Sequence, residues 1–191
     1  MHKLIVETIP WAYACCDANI SAEDVASASR FQNERRRAEH LAWRRIVRRE
    51  LGRKVSISYN EVGAPVVDTP NTYISVAHGA GCVVVAISDR PIGVDVESQE
   101  RDFSHAVSRY MSDEEMVLSV EQNWPAKVWT AKEALYKLYG KHGIELKTEL
   151  RITAYDNTTQ QLTAQLSDTT KAVVDIATYE GGVVVAVAYF N

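Results

Sequence analysis

The apolar positions of this chain follow two periods. At the start, "MHKLIVETIP" gathers aliphatic residues into a short run that breaks at Pro10, which predicts a first strand. Residues 73–88, "YISVAHGAGCVVVAIS", and 173–188, "VVDIATYEGGVVVAVA", each read as strand, Gly-containing turn, strand, so each predicts a hairpin. Residues 91–98, "PIGVDVES", predict a further strand. Alternate side chains of a strand share a face, so Asp95 and Glu97 point one way and Val96 turns to the core. Helical periodicity appears twice. In "RFQNERRRAEHLAWRRIVRRELGRK", Arg30 to Lys54, residues Trp43, Val47 and Leu51 with Ala42 and Ile46 make one apolar stripe. In "WPAKVWTAKEALYKLYGKHG", Trp129, Glu133 and Lys137 fall on one row, with Lys132 beside Glu133. Ser112 followed by Glu115 is a capping box for a separate helix just before it.

The two hairpins match at a spacing of 100 residues: Ala77 with Ala177, Gly81 with Gly181, and the run Val83 to Ala86 with Val183 to Ala186. Upstream, "RRIVRRELGRK" from Arg44 aligns with "KEALYKLYGKH" from Lys132, with Gly52 on Gly140 where each helix stops. A helix and a hairpin recurring in the same order predict an α+β fold of two similar halves, an internal duplication packed as a pseudo-dimer. The halves are 1–98 and 99–191. They differ where chemistry would sit. His78 stands against Thr178, Arg44 and Arg45 against Lys132 and Glu133, and Asp95 and Glu97 follow the first hairpin alone. The expectation is one asymmetric site in the cleft between halves. A monomer is also expected, since the second half covers the surface a single half would offer to another subunit.

Composition narrows the classes. With 191 residues, 46% hydrophobic and 24% charged, the chain can bury a core without staples. Cys15, Cys16 and Cys82 have no C-x-x-C spacing, so they read as reduced structural residues of a cytoplasmic protein, not as a zinc site or disulfide framework. No apolar stretch reaches the length of a membrane span. A net charge of −4 argues against a general nucleic-acid binder. The charge is uneven, however: Arg30 to Lys54 holds ten of the 21 Lys and Arg residues against three acids. Such a run is a solvated face, or it is an anion-binding one, because arginines four apart can converge on one polyphosphate with fork-shaped donors.

Two like charges on one strand face repel, so a positive object is expected between Asp95 and Glu97. On its own, the Glu133–Lys137 spacing is a surface pair worth a few tenths of a kcal/mol. Placed opposite Asp95 and Glu97, Glu133 completes three carboxylates with phosphate-binding cations beside them. That donor set suits Mg²⁺, which fills its octahedron with carboxylates, water and substrate phosphate oxygens.

"IGVDVE", Ile92 to Glu97, followed by "WTAKEALYK", Trp129 to Lys137, resembles the signature of the 4′-phosphopantetheinyl transferase superfamily. The length and repeat resemble its longer, two-half monomeric type. "RRRAEHLAWRRIVRREL" resembles its first basic helix, "VGAPVV" its G-x-P turn, "ISVAHG" its strand ending in His, and "RYMSDEE" the segment before its last helix. The resemblance implies a holo-carrier-protein synthase. Such an enzyme takes the phosphopantetheine arm of coenzyme A, attaches it to a serine of an apo acyl, polyketide or peptidyl carrier protein, and releases adenosine 3′,5′-bisphosphate. It further implies Asp95, Glu97 and Glu133 as ligands of Mg²⁺. Glu133, directly or through a metal-bound water, would take the serine proton. Lys132 and Lys137 would neutralise charge on the pyrophosphate and leaving group, and His78, Arg44 and Arg37 would meet the 3′-phosphate. A nucleophile supplied by the partner agrees with the lack of a nucleophile elbow or a cysteine–histidine signature in this chain.

Three departures bear on these roles. Ala64 stands in the G-x-P turn where a basic residue is common, Tyr59 where Arg is frequent, and Gly79 after His78 where a small polar residue is usual. Coenzyme A recognition is then expected to lean on the Arg44 helix. Two other readings use the same residues. One is a magnesium-dependent phosphohydrolase with water as nucleophile. The other is an RNA-binding module on the basic helix, against which net acidity and the lack of interleaved aromatics count.

Overall fold

Both hairpins form, and the second strand of each is buried on two faces. The computed structural model describes residues 1–9, 17–167 and 169–191; Cys15 and Cys16 lie outside them. In chain order the elements are β1 (His2–Thr8), α1 (Ala22–Ala28), α2 (Glu34–Leu51), β2 (Ile57–Tyr59), β3 (Pro65–Val67), β4 (Tyr73–Gly79), β5 (Cys82–Ser88) and β6 (Ile92–Ser98). There follow α3 (Val107–Tyr110), α4 (Asp113–Met116), α5 (Trp124–Tyr139), α6 (Leu146–Glu149), β7 (Leu150–Asp156), β8 (Gln161–Leu166), β9 (Lys171–Tyr179) and β10 (Val183–Phe190). The fold mixes helices and sheets as expected. No helix among the described residues is long and apolar enough to cross a membrane.

The layers run helix, sheet, sheet, helix. One sheet has the order β1-β5-β4, the other β6-β10-β9-β8-β7, and β2 with β3 makes a small separate hairpin. On β5, Val83 and Val85 face Ala42, Trp43, Ile46 and Val47 of α2. Val84 and Ala86 face the other way, against Val94 and Val96 of β6 and Val185 and Val187 of β10. On β10, Val184, Ala186 and Ala188 turn instead to Val128, Ala131, Ala134, Leu135 and Leu138 of α5. A strand covered on both faces needs no polar alternation, which is why "CVVVAIS" and "VVVAVA" read as continuous apolar runs. Each fully buried Val or Leu contributes roughly 1.5–3 kcal/mol.

The matching valine runs are not in matching places. The turn between β4 and β5 has two residues, since Gly79 pairs with Cys82, whereas the turn between β9 and β10 has three, since Tyr179 pairs with Val183. The extra residue slips the second strand by one, and a slip of one turns every side chain to the opposite face. Val84 therefore faces the middle of the molecule while Val184 faces α5. The identity of the runs at a spacing of 100 survives because both faces are apolar. The first strands keep the spacing: Ile74 faces α2 and Val174 faces α5.

β6 follows the first hairpin in the chain but is hydrogen-bonded to β10, with Asp95 opposite Ala186 and Glu97 opposite Val184. It forms the edge of the five-stranded sheet and also packs against β4. This edge position leaves its backbone free to meet side chains of β4 and α5, Ser75 and Lys137.

Candidate active site

The residues that position the site are small ones. On β6 the even residues Ile92, Val94 and Val96 enter the central core, so Gly93, Asp95 and Glu97 face α5. A Cβ on Gly93 would stand 2.0 Å from the Ala134 carbonyl oxygen and 2.7 Å from the Leu138 nitrogen. Glycine thus lets the helix backbone rest directly on the strand. One turn apart on that helix, Glu133 and Lys137 flank the contact and lie over Asp95.

The Lys137 ammonium donates to Asp95 Oδ1 at 2.8 Å and to the Val94 carbonyl at 2.9 Å. Val94 also donates its N–H to Ser75 Oγ of β4 at 3.0 Å, so both of its outward backbone groups are satisfied from neighbouring elements. Glu97 accepts from the guanidinium of Arg101 and, at 2.9 Å, from the Ser98 N–H. What lies beside the two acids is therefore a cation for each, Lys137 for Asp95 and Arg101 for Glu97. Glu133 differs: its carboxylate accepts no hydrogen bond among the described residues. Burial first, and then the charge of Asp95, pushes Glu133 above the usual carboxylate range; Lys137 and Arg101 offset this in part. Burial also raises Asp95, against the pull of Lys137.

As the side chains stand, no three His, Cys, Asp or Glu residues among those described are gathered closely enough to grip a metal ion. The donors nevertheless fit a hard divalent cation. They are carboxylate oxygens, one carboxylate is unpartnered, and two, Asp95 and Glu133, have their charged forms disfavoured by burial and by a neighbouring carboxylate.

A second charged cluster lies at the end of β4. Arg36 Nη1 is 2.9 Å from His78 Nε2, and Glu39 Oε2 is 3.4 Å from His78 Nδ1. Burial lowers the His78 pKa, with Glu39 opposing and Arg36 and Lys137 reinforcing the shift. A cavity of about 380 Å³ opens beside this cluster, lined by Phe31, Arg36, His40, Trp43, Tyr59 and His78. A second, of about 220 Å³, is lined by Gly63, Ala64, Ser75, Tyr136, Lys137 and Lys141. Pro65 and Val76 border both, so one groove leads from His78 to Lys137. Two of the departures read from sequence line it: Tyr59 gives the first cavity an aromatic wall, and Ala64 gives the second a small one. The third also has a physical reason. A Cβ on Gly79 would meet the Val96 carbonyl oxygen at 2.7 Å, so the end of β4 could not approach β6.

Three of the expected site residues are placed elsewhere. Arg44 is only 3% exposed and donates to Asp24 Oδ1 at 2.9 Å; Arg48 holds the other oxygen of Asp24 at 2.6 Å. Burial opposes the charge on Asp24, but the hydrogen bonds from Arg48, Ser21 and Arg44 outweigh it and hold its pKa at about 2. Arg44 thus fastens α1 to α2. Arg37 donates to the carbonyls of Phe31 and Gln32 and secures the loop before α2. Lys132 is 0% exposed and donates to Glu115 and, at 2.9 Å, to the Leu146 carbonyl. Adjacent helical residues are turned about 100° apart, so with Glu133 over β6, Lys132 must point into the core toward α4. Two residues that sequence reasoning missed, Arg36 and Arg101, take places in the site. Arg36 lay within the basic run, but nothing in a run of arginines says which one faces a histidine on another element. Arg101 is four residues past Glu97 in the turn after the strand, where strand periodicity no longer predicts direction.

A sequence model of the 4′-phosphopantetheinyl transferase superfamily matches residues 91–188, just over half of the chain. The match runs from β6 to β10 and includes Asp95, Glu97, Glu133 and Lys137, while Arg36 and His78 precede it. No curated protein matches the chain.

Proposed function

This chain belongs to the 4′-phosphopantetheinyl transferase superfamily, and we propose that it moves the 4′-phosphopantetheine arm of coenzyme A onto a serine of an apo carrier protein. The observation that carries this reading is Glu133: an unpartnered, half-buried carboxylate with a raised pKa, facing Asp95 and one helical turn from Lys137, the residue at which the groove from Arg36 and His78 ends.

The groove suits a nucleotide donor that carries phosphate on both the 3′ and the 5′ side of its ribose. The aromatic cavity of Phe31, His40, Trp43 and Tyr59 takes the adenine, and Arg36 with His78 takes the 3′-phosphate by charge-assisted hydrogen bonds. The pyrophosphate then lies toward Lys137. The serine oxygen of the carrier attacks the phosphorus that bears the pantetheine arm. The bond from that phosphorus to the adenosine-side phosphate oxygen breaks, and adenosine 3′,5′-bisphosphate leaves. Glu133, directly or through a metal-bound water, takes the serine proton; burial and the charge of Asp95 raise its pKa above the ordinary carboxylate value, in the direction that strengthens a base. Lys137 meets the charge that develops on the leaving phosphate. A magnesium ion held by Asp95, Glu97 and Glu133 would neutralise the pyrophosphate, which is most of what phosphoryl-type transfer asks of a protein.

The same reading gives the fold a history. We infer an internal duplication from the order β1–α2–β2–β3–β4–β5, which recurs as β6–α5–β7–β8–β9–β10. By strand pairing, Ile5 and Glu7 stand where Asp95 and Glu97 do. In the first half, Arg45 and Arg49 both donate to Glu7. A lone acid between two arginines cannot serve a metal, which leaves one site per chain and agrees with a monomer. The arginines of α2 are also largely engaged, with Asp24, Glu7 and Glu39, which disfavours an RNA-binding surface.

The test is mass spectrometry of apo carrier proteins incubated with the protein, coenzyme A and Mg²⁺. One phosphopantetheine gained by the carrier is the expected result. Release of phosphopantetheine with no carrier present would establish a hydrolase instead.

A further inference from the structure

Arg101 stands at the mouth of the site for reasons the backbone makes plain. The turn after β6 is fixed by the Arg101 N–H donating to the Ser98 carbonyl and the Gln99 N–H donating to the Gly182 carbonyl at 2.8 Å. From that turn the side chain reaches back over Glu97. Its guanidinium lies 5.2 Å from the centre of the Phe103 ring and 5.4 Å from that of Trp129, a residue on the same row of α5 as Glu133. Yet the side chain is 49% exposed, and of its three nitrogens only Nη1 donates to a described residue. Here is a flat cation on an aromatic platform, weakly tied to a metal-type carboxylate, with donors to spare.

We propose that Arg101 is a further residue of the site with two positions. It covers Glu97 when no divalent cation is bound, and it turns to the donor's phosphates when a cation takes that carboxylate. The proposal rests on the reading of the site as one for coenzyme A and a divalent ion. An ion pair whose arginine is half exposed is weak enough to be exchanged, and the planar fork of a guanidinium matches phosphate oxygens as well as carboxylate ones. The aromatic faces of Phe103 and Trp129 keep the cation near in both positions.

The two positions demand effects of opposite sign, which a merely structural arginine would not give. The experiment compares wild type, Arg101→Gln and Arg101→Lys. Mn²⁺ binding is followed by electron paramagnetic resonance without donor, and coenzyme A binding by calorimetry with Mg²⁺. Arg101→Gln is expected to bind Mn²⁺ severalfold more tightly, because Glu97 no longer has a competing cation. It is expected to bind coenzyme A about ten-fold more weakly, the loss of one charge-assisted contact. Arg101→Lys, which keeps the charge without the fork, should hold Mn²⁺ affinity near wild type and restore coenzyme A binding only in part. Equal weakening of both ligands, or no change in either, overturns the proposal. Tighter Mn²⁺ with unchanged coenzyme A overturns the phosphate-facing position. Wild-type protein that binds neither probe overturns both this inference and the proposed function. The predicted pair of shifts without any carrier modification leaves Arg101 assigned and refutes the transfer reaction alone.

Discussion

Gly93 and Ala134 meet backbone to backbone: a Cβ on the glycine would stand 2.0 Å from the alanine carbonyl oxygen. That contact sets the height of α5 above β6, and with it the distance of Glu133 and Lys137 from Asp95. Gly93→Ala must push the helix away. The cost is that of overpacking a rigid backbone contact, about 1–3 kcal/mol. A displacement of about 1 Å at the reacting groups is enough to lower turnover on the order of 100-fold. The variant should therefore melt lower and lose far more activity than its stability loss explains. Calorimetric melting alongside a carrier-modification assay checks this, and near-normal turnover would show that the helix can shift at no cost.

The pKa directions at the site give a pH signature. Asp95 and Glu133 are raised above their ordinary values of 3.8 and 4.5. In the folded state each holds its proton to higher pH than in the unfolded chain. Across the window from the ordinary values up to the raised ones the native state binds more protons, so stability falls as pH rises through it. These acids thus favour the fold at low pH and strain it at neutral pH. Glu133→Gln should melt a few degrees above wild type at neutral pH without divalent metal, and the gain should shrink as pH falls below the window. Added Mg²⁺ should raise the melting temperature of wild type more than that of the variant. A Glu133→Gln protein less stable than wild type at neutral pH would contradict the raised carboxyl.

The elements that periodicity describes well were legible in the sequence. Both long helices, both hairpins, the capping box of Ser112 and Glu115, and the shared face of Asp95 and Glu97 all follow from local spacing. The slip of the second valine run was not legible, because an apolar strand buried on both faces gives no sign of which face is which. Nor was the direction of Lys132. A lysine beside a site glutamate looks like a site cation until the helix is seated, and the seating depends on Gly93, a residue 39 positions away. The arginines of α2 were ambiguous for a related reason. Their acid partners, Glu7, Asp24 and Glu39, come from three different elements or turns, and composition alone cannot assign them.

The buried pair of Lys132 and Glu115 makes a prediction of its own. Glu115 accepts from Lys132 Nζ, from the Ser112 N–H and from the Ile152 N–H at 2.8 Å, tying α4, α5 and β7 together. Removing the acid leaves an ammonium buried without its counter-charge, a loss on the order of 3–5 kcal/mol. Replacing the lysine by methionine is less severe, since the carboxylate keeps its two backbone donors. Glu115→Ala should unfold at markedly lower denaturant than Lys132→Met. If Lys132 acted on the donor's phosphates instead, Lys132→Met would weaken coenzyme A binding at unchanged stability, an outcome that titration calorimetry and denaturant melts would together expose.

Arg36 and Arg44 divide the work that one basic helix was expected to do. Arg36 reaches His78 at 2.9 Å on the wall of the aromatic cavity, while Arg44 is spent on Asp24. If the 3′-phosphate sits on Arg36 and His78, Arg36→Ala should lose a charge-assisted contact, roughly 1.5–3 kcal/mol or about ten- to hundred-fold in affinity for coenzyme A. It should barely change binding of 3′-dephospho-coenzyme A. His78→Ala should act in the same direction and less than additively with it, since both touch one phosphate. Arg44→Ala should lower stability, because Asp24 keeps only one of its two buried cations, and should not distinguish the two ligands. Calorimetric titration of both ligands into the three variants decides the matter. Discrimination lost in Arg44→Ala and kept in Arg36→Ala would move the phosphate back to the interior of the helix and would require Arg44 to leave Asp24 when the donor binds.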